Sequence, residues 1–384
     1  MNVSGWQTQY EARILAGMHQ QIADRLTAWH AENLRDLPWR RNPAGARDAY
    51  AVWISEVMAQ QTRLSVVVDY FNRWMARFPT VERLAHSDQQ EVLKLWEGLG
   101  YYSRARNLHR AAQIIMAEFG GRLPRTRREL LMLPGIGEYT AGAILSLSFG
   151  LPEPVLDGNA KRVISRLWDI DEKIDLPATE RRLWSLSRQM VEAAALPGAM
   201  NEGLMELGAL LCRRRNPLCG ACPLRPCCLA RERGVQNERP VRSPGKKTPH
   251  VEVAAAVIWE GVRGGSRLLI SKRPEKGLLG GMWSFPNGAR DAADKDLPAS
   301  LERAVRRELG VAITVGEQVT TVDHAFTHFR MTLAAFHARI HTGIPQALGV
   351  ADWCWTTLDE IDRFPCPVPD RKIIGALRDQ EENA

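Results

Sequence analysis

The sequence predicts two domains of different class, an all-α domain that closes on a cysteine-rich loop and a smaller α+β domain beyond a linker. Three observations carry this reading. Helical periodicity fills residues 20–212 with little strand signal, four cysteines fall between Cys212 and Cys228, and past residues 233–249 the apolar runs shorten to strand length. At 384 residues the chain also exceeds one ordinary domain of ~100–200 residues.

Composition sets limits. Hydrophobic residues at 45% and charged residues at 25% exclude a disordered or collagen-like chain. No apolar run approaches the ~18 residues that span a bilayer, and the N-terminal stretch is too polar for a secretory signal, so a cytoplasmic protein without membrane association is expected. The net charge of +7 divides into +5 for residues 1–232, +4 for 233–249 and −2 for 250–384. A basic excess in the first domain and linker suits a polyanionic partner.

The order of elements follows. Residues 1–19 are an N-terminal extension, 20–211 the helical domain, 212–232 the cysteine loop, 233–249 an exposed linker and 250–384 the second domain. Arg104–Phe119 places Leu108, Ala111, Ala112, Ile115 and Phe119 on one face, and Gly120-Gly121 ends that helix. Thr126 and Glu129 form a capping box in which each side chain serves the other's free amide. Helical patterns also cover Tyr139–Phe149, Asn159–Trp168, Glu180–Ala194 and Met200–Cys212. In the second domain Val251–Trp259, Arg267–Ser271, Gln318–His324, His328–Ile340 and Trp353–Thr356 read as strands, with helices at Leu301–Leu309 and Arg371–Leu377.

Cys212, Cys219, Cys222 and Cys228 are gathered in one loop rather than scattered through a core, and disulfides are not expected in a cytosolic chain. A metal site is the better reading. Zinc and a [4Fe–4S] cluster both accept four thiolates; the single Cys-x-x-Cys pair favours iron–sulfur, while Cys227 beside Cys228 leaves the fourth ligand open. Cys354 and Cys366 stand alone and read as small buried hydrophobes.

Three further features carry chemistry. Leu133-Pro-Gly-Ile-Gly137 lies between two helices, and Gly135 and Gly137 allow positive φ and close backbone approach, as in a helix-hairpin-helix gripping a DNA phosphate. Asp157 opens the next helix, where an N-cap is its ordinary role. Glu56 sits among Val52, Trp53, Val57 and Met58, so its carboxyl is expected to be desolvated and suited to general-acid work near neutral pH. One acid and one anion are the pair that glycosidic cleavage through an oxocarbenium-like state requires.

With these residues on the page the chain resembles adenine DNA glycosylases of the MutY family over nearly its whole length. The likeness rests on Ser55-Glu-Val-Met-Ala-Gln-Gln-Thr62, Gly98-Leu-Gly-Tyr-Tyr102, Leu133-Pro-Gly-Ile-Gly137, Ala141-Gly-Ala-Ile-Leu-Ser-Leu-Ser148, Leu156-Asp-Gly-Asn159 and the cysteine spacing, in order. The resemblance implies a helix-hairpin-helix glycosylase domain with a [4Fe–4S] cluster on Cys212, Cys219, Cys222 and Cys228. It implies Glu56 as the acid that protonates adenine and Asp157 as the carboxylate facing the sugar cation. Tyr139, hydrogen-bonded near Asp157, stands where the endonuclease III type has a lysine. A phenol forms no Schiff base, so a monofunctional enzyme is expected. Arg35, Arg40 and Glu202 are implied in the adenine pocket, and Gln61, Thr62, Leu99 and Tyr101 at the opposing 8-oxoguanine. The partner implied is double-stranded DNA with adenine opposite 8-oxoguanine or guanine, bound by a monomer.

Gly281-Met-Trp-Ser-Phe-Pro-Asn-Gly288 followed by Leu301–Val311 resembles a Nudix domain. Such domains hold Mg²⁺ through several glutamates, since a hard cation needs several oxygens. Here Ala304 and Arg307 take two of those places and Glu308 stands almost alone, which implies binding without hydrolysis. Phe326-Thr-His328 corresponds to the family's lesion-reading Phe-Ser-His, Thr327 keeping the hydroxyl. Two other readings are weaker. A bifunctional glycosylase/lyase is disfavoured by Tyr139, and a non-enzymatic iron–sulfur DNA-binding module by the presence of Glu56 and Asp157.

Overall fold

The computed structural model describes residues 3–41, 47–245, 248–260 and 267–382, with side chains from Gly17 onward. The ends of the expected extension and linker at Met1-Asn2 and Lys246-Lys247 lie outside the described residues. The chain divides into two units: Met1–Ala85 with Arg110–Gly245, and His86–His109 with Lys246–Ala384.

The first unit opens with α1 (Val3–Asn33), α2 (Ala49–Ala59), α3 (Leu64–Arg77) and α4 (Val81–Ala85). Next come α5 (Gln89–Trp96) and the start of α6 (Ser103–Phe119), which group with the second unit. The rest of α6, then α7 (Arg127–Met132), α8 (Glu138–Phe149), α9 (Gly158–Leu167), α10 (Pro177–Ala193), α11 (Pro197–Leu210) and the single-turn α12 (Leu229–Glu232) complete the first unit. One core joins Ile22 and Leu26 of α1 to Val163 and Ile164 of α9, Leu183 and Met190 of α10, and Leu204 and Leu207 of α11. Each set recurs at helical spacing, which is why these helices face one another. Several glycines here leave no room for a side chain: a Cβ on Gly142 of α8 would lie 2.0 Å from the Pro154 carbonyl oxygen, and one on Gly208 of α11 would lie 2.6 Å from Asn159 Cβ.

Residues 20–212 are helical as expected, and the extension is a continuation of α1. The Thr126 cap is present on one side: its hydroxyl accepts from the Glu129 amide at 3.3 Å, but the Glu129 carboxylate takes that same hydroxyl at 2.6 Å. The early part of the expected linker is tied down. Ile174 N donates to Val241 O at 3.0 Å, Ser243 N to Asp175 Oδ1 at 3.0 Å, and Arg239 pairs with Asp169 at 2.8 Å.

The second unit is built on β1 (His250–Ile258), β2 (Leu268–Lys272), β3 (Trp283–Ser284), β4 (Asn287–Ala289), α13 (Leu297–Leu309), β5 (Ala312–Ala325), β6 (Arg330–Thr342), β7 (Asp352–Thr356) and α14 (Val368–Glu382). The strands form sheets ordered β4-β1-β6-β5 and β3-β2-β7, with β1 parallel to β6. Because side chains alternate along a strand, Val253, Ala255 and Val257 pack with Ile373 and Leu377 of α14, while Ala254, Ala256 and Ile258 pack with Leu301 and Val305 of α13. Burial on both faces explains the unbroken apolar run. β3 and β4 are too short to leave a period in the sequence, and β5 starts six residues before its expected Gln318 because register shifts between Val315 and Thr320 break its alternation.

Gly142→Ala is expected to lose ~3 kcal/mol, the upper end for an overpacked core, because a backbone oxygen cannot move aside as a side chain can. A shift in urea midpoint measures it; an unchanged midpoint would contradict the close α8 contact.

Candidate active site

The site is built on α2. Tyr50–Ser55, Val57 and Met58 of this helix are buried, leaving Glu56 partly open to a cavity of about 960 Å³ in the first unit. Asp48 caps α2 by accepting from Tyr50 N, and the Tyr50 hydroxyl is anchored to Phe78 O at 2.8 Å. Glu56 therefore projects from a fixed scaffold. Tyr139, in the first turn of α8, donates its hydroxyl to Glu56 Oε2 at 2.5 Å and also reaches Met205 Sδ at 3.1 Å. The phenol thus engages Glu56, where the resemblance implied a bond near Asp157.

Burial pushes the Glu56 carboxyl up to about 7. The Tyr139 hydrogen bond lowers it, the negative charges of Glu202 and Asp157 raise it further, and Arg40 opposes them. Desolvation likewise raises Tyr139 well above its usual value, so the phenol stays neutral.

Asp157 caps α9, as its position suggested, and also lines the cavity. Oδ1 accepts from Ala160 N at 2.7 Å and Oδ2 from Asn159 Nδ2 at 3.0 Å. Burial raises its pKa, while the amides of Ala160 and Asn159 and the charge of Arg162 pull it back. Arg162 also holds the Asn159 side chain at 2.8 Å and reaches Cys212 O and Gly208 O, both at 2.6 Å. The cysteine loop, Asn159 and Asp157 are thereby joined through one guanidinium.

A third wall carries Glu202 and Glu206 of α11. Arg40 Nε donates to Glu202 Oε1 at 2.7 Å, Arg47 spans both Glu202 oxygens, and His30 Nε2 lies 2.8 Å from Oε2. Burial would raise Glu202, but hydrogen bonds from His30 and Arg47 and the charges of Arg40 and Arg47 outweigh it and hold the carboxyl at about 2. Arg35 binds Glu206 through two nitrogens at 2.7 and 2.9 Å, and Arg40 adds a third bond at 2.6 Å.

Gln61, Thr62, Gly135 and Gly137 line the same cavity. Gln61 has a φ of 57°, strained for a side chain of this kind. Of the two hairpin glycines only Gly135 needs the left-handed region, at φ 81°; Gly137 is extended and begins α8 without a side-chain cap, leaving the first amides of that helix open.

In the second unit, Leu99 and Tyr101 share a pocket of about 330 Å³ with Phe326, Thr327 and His328. The Tyr101 and Thr327 hydroxyls are hydrogen-bonded, and Tyr101 has a φ of 48°. Phe326 stacks on Phe329 with ring centroids 4.6 Å apart, closing the β5–β6 hairpin. On α13, Ala304 is buried beneath Gly288, and Arg307 bonds Glu308 at 2.9 Å.

The thiols of Cys212, Cys219, Cys222 and Cys228 act on one another electrostatically, and Arg166 donates to Cys212 Sγ at 3.2 Å. Burial pushes Cys222 up to about 12. Cys227 differs: it is buried in the core of the first unit and donates to Gln21 Oε1 at 3.4 Å. Four soft donors beside guanidinium groups fit an iron–sulfur cluster. Among the described residues no three His, Cys, Asp or Glu side chains converge closely enough to hold a single ion. Cys366 is buried in the second core and Cys354 packs against it, as expected of small hydrophobes.

Residues 54–189 match the HhH-GPD superfamily of base excision DNA repair proteins, and residues 254–376 match the NUDIX domain. The human adenine DNA glycosylase is 32% identical over 403 residues, covering 93% of this chain and 74% of its own length; the rat protein is 33% identical over 394 residues, covering 91% and 76%. The chain belongs to the adenine DNA glycosylase family. This glycosylase is an enzyme of base excision repair, with a helical HhH-GPD domain followed by a Nudix domain. The structure of a thermostable thymine-DNA glycosylase aligns with 56% of the chain and 98% of its own, at 27% identity and a TM-score of 0.50.

Sequence reasoning missed Arg47, His30, Glu206 and Arg162. Glu206 had a signal, since Glu202 and Glu206 stand four apart on an apolar helix and so share a face. His30 and Arg47 had none, because only packing brings α1 and the segment before α2 to Glu202.

Raising Glu56 from 4.5 to about 7 means that the folded protein keeps a proton that the unfolded chain releases. Stability is then undiminished below pH 4.5 and falls as pH rises toward 7, by on the order of 3 kcal/mol. Glu56→Gln removes this charge, so its melting temperature is expected to exceed that of the parent at pH 8, with the gap closing toward pH 4.5. Parallel melting curves at the two pH values check it; a gap independent of pH would refute it.

Proposed function

We propose that this glycosylase, as a monomer on duplex DNA, removes adenine paired with 8-oxoguanine or guanine, with Glu56 as general acid and Asp157 as the carboxylate that faces the sugar cation. The observation that carries this reading is the sharing of one cavity by Glu56, pushed up to about 7, Tyr139 and Asp157. A base read in that cavity must first leave the stack. Protonated Glu56 gives its proton to adenine, at N7 in the family's chemistry. The bond between C1′ and N9 breaks with its electron pair leaving on the base, and the deoxyribose carries the positive charge. Asp157, held by two donors, stabilises that charge as a carboxylate, and water then adds to C1′, its released proton returning to Glu56, to leave an abasic site. Tyr139 keeps the Glu56 carboxyl oriented and offers no amine for strand cleavage.

Glu202, held ionised by Arg40, Arg47 and His30, and Glu206, bound by Arg35, are fixed in the wall that lines the adenine pocket. Gln61 and Thr62 of the first unit are assigned to the opposing base, as are, independently, Leu99, Tyr101, Phe326, Thr327 and His328 of the second. The second unit recognises without hydrolysing, since Ala304 and Arg307 supply no carboxylates for Mg²⁺. A [4Fe–4S] cluster on Cys212, Cys219, Cys222 and Cys228 is supported by the mutual electrostatic influence of these four thiols and by the guanidinium of Arg166 beside Cys212. When bound it supplies structural order to the loop that Arg162 and Arg166 grip.

The deciding assay is single-turnover excision on a duplex with adenine opposite 8-oxoguanine. Product strands are expected to break only after alkali, Glu56→Gln and Asp157→Asn to lose at least about a hundredfold in rate while still binding duplex, and the parent rate to fall as pH rises through about 7. Parent-like rates in either variant would overturn the assignment.

The thiol assignment has its own check. Iron content after anaerobic purification is expected to survive Cys227→Ala and to collapse in Cys228→Ala; zinc in place of iron would refute the cluster.

A further inference from the structure

Arg104 stands in the first turn of α6, just after the Gly98–Tyr101 loop, yet it does not behave as a surface arginine. It is 8% exposed. One guanidinium nitrogen, Nη2, donates to Leu99 O and to Gly100 O, each at 3.1 Å. Its guanidinium carbon lies 5.1 Å from the Trp96 ring centroid and 5.5 Å from that of Tyr101. One cation therefore bridges both sides of the loop: Trp96, where α5 ends, and Tyr101, where the loop ends.

The loop needs such a bridge. Gly98, Gly100 and Tyr101 all have positive φ, at 95°, 72° and 48°, and for tyrosine that region is strained. A strained loop persists when its surroundings over-determine it. The Trp96 indole also donates to Gly100 O at 3.0 Å, so that carbonyl accepts from both Trp96 and Arg104. Burial lowers the Arg104 guanidinium to about 10, which leaves it charged at neutral pH. The cation is held in a low-dielectric setting where contact with an aromatic face is strengthened.

We infer that Arg104 is a positioning residue for lesion discrimination: it holds the Leu99–Tyr101 backbone in its strained form and sets the Tyr101 ring beside Thr327. The inference rests on the reading of Tyr101 and Thr327 as contacts to the opposing base. Arg104 itself does not line the pocket; it acts through the loop it grips. A lysine keeps the charge and a donor but lacks the planar group that meets two rings while bonding two carbonyls.

The test uses the full chain and single-turnover excision of adenine opposite 8-oxoguanine and opposite guanine, in the parent, Arg104→Met, Arg104→Lys and Tyr101→Ala proteins. Arg104→Met is expected to slow excision opposite 8-oxoguanine about tenfold more than opposite guanine, the size of one lost cation–π and hydrogen-bonded contact, with Arg104→Lys in between. If Arg104→Met does not fold, Arg104→Lys decides by the same ratio. Equal slowing on both duplexes would make Arg104 a general stabiliser and overturn the proposal. So would an unchanged ratio in Arg104→Met while Tyr101→Ala lowers it, and in that case the lesion-reading assignment would stand. An unchanged ratio in Tyr101→Ala would bring down that assignment and the proposal with it.

Discussion

Everything in the first unit turns on one electrostatic constraint: four carboxylates, Glu56, Asp157, Glu202 and Glu206, surround a single largely desolvated cavity. Like charges at such spacing cannot all be ionised without compensation. The protein resolves this by unequal treatment. Glu202 and Glu206 receive three arginines and a histidine, and these partners hold Glu202 well below its ordinary value. Asp157 receives amide donors at a helix N-terminus, which partly offset its burial. Glu56 is hydrogen-bonded by the neutral phenol of Tyr139, and its burial outweighs that bond and the charge of Arg40, so it holds its proton near neutral pH. Which carboxyl keeps its proton thus follows from its burial and from what it is paired with.

That arrangement demands backbone proximity. Asp157 is at once the cap of α9 and a wall of the cavity, so the position of the helix and of the carboxylate cannot be set separately. Glycines keep α9 and α8 where the carboxylate needs them. Gly208 lets α11 lie directly on Asn159, and Gly142 lets α8 meet the chain just ahead of Asp157. Arg162 then ties Asn159 to the start of the cysteine loop, so order in that loop and orientation at Asp157 share one guanidinium.

The second unit obeys a different rule. Its sheet is covered on both faces by α13 and α14, and the hairpin between β5 and β6 brings Phe326–His328 to its surface. The segment His86–His109, helical by sequence, belongs to this unit through specific bonds: Gln90 to Gly281 O and Trp283, Glu97 to Arg371, and Arg106 to Gly280 O. The two loops that meet at Tyr101 and Thr327 are therefore carried by one body, although 226 positions separate them in the chain.

The primary structure alone marked the helical character of residues 20–212, β1 as a strand, the set of four clustered cysteines, and Glu56 and Asp157 as candidate carboxylates. Each of these is written in local terms: a helical or strand period, a ligand spacing, or a cap before a helix. Strands of two or three residues left no period, and β5 hid behind its bulges. Only the tertiary structure decided that Tyr139 bonds Glu56, that Arg47 and His30 hydrogen-bond Glu202, and that residues 86–109 join the second unit. The physical reason is common to all three. A pKa, an ion pair and a docking surface depend on which groups share a desolvated space, and that space is created when distant helices pack.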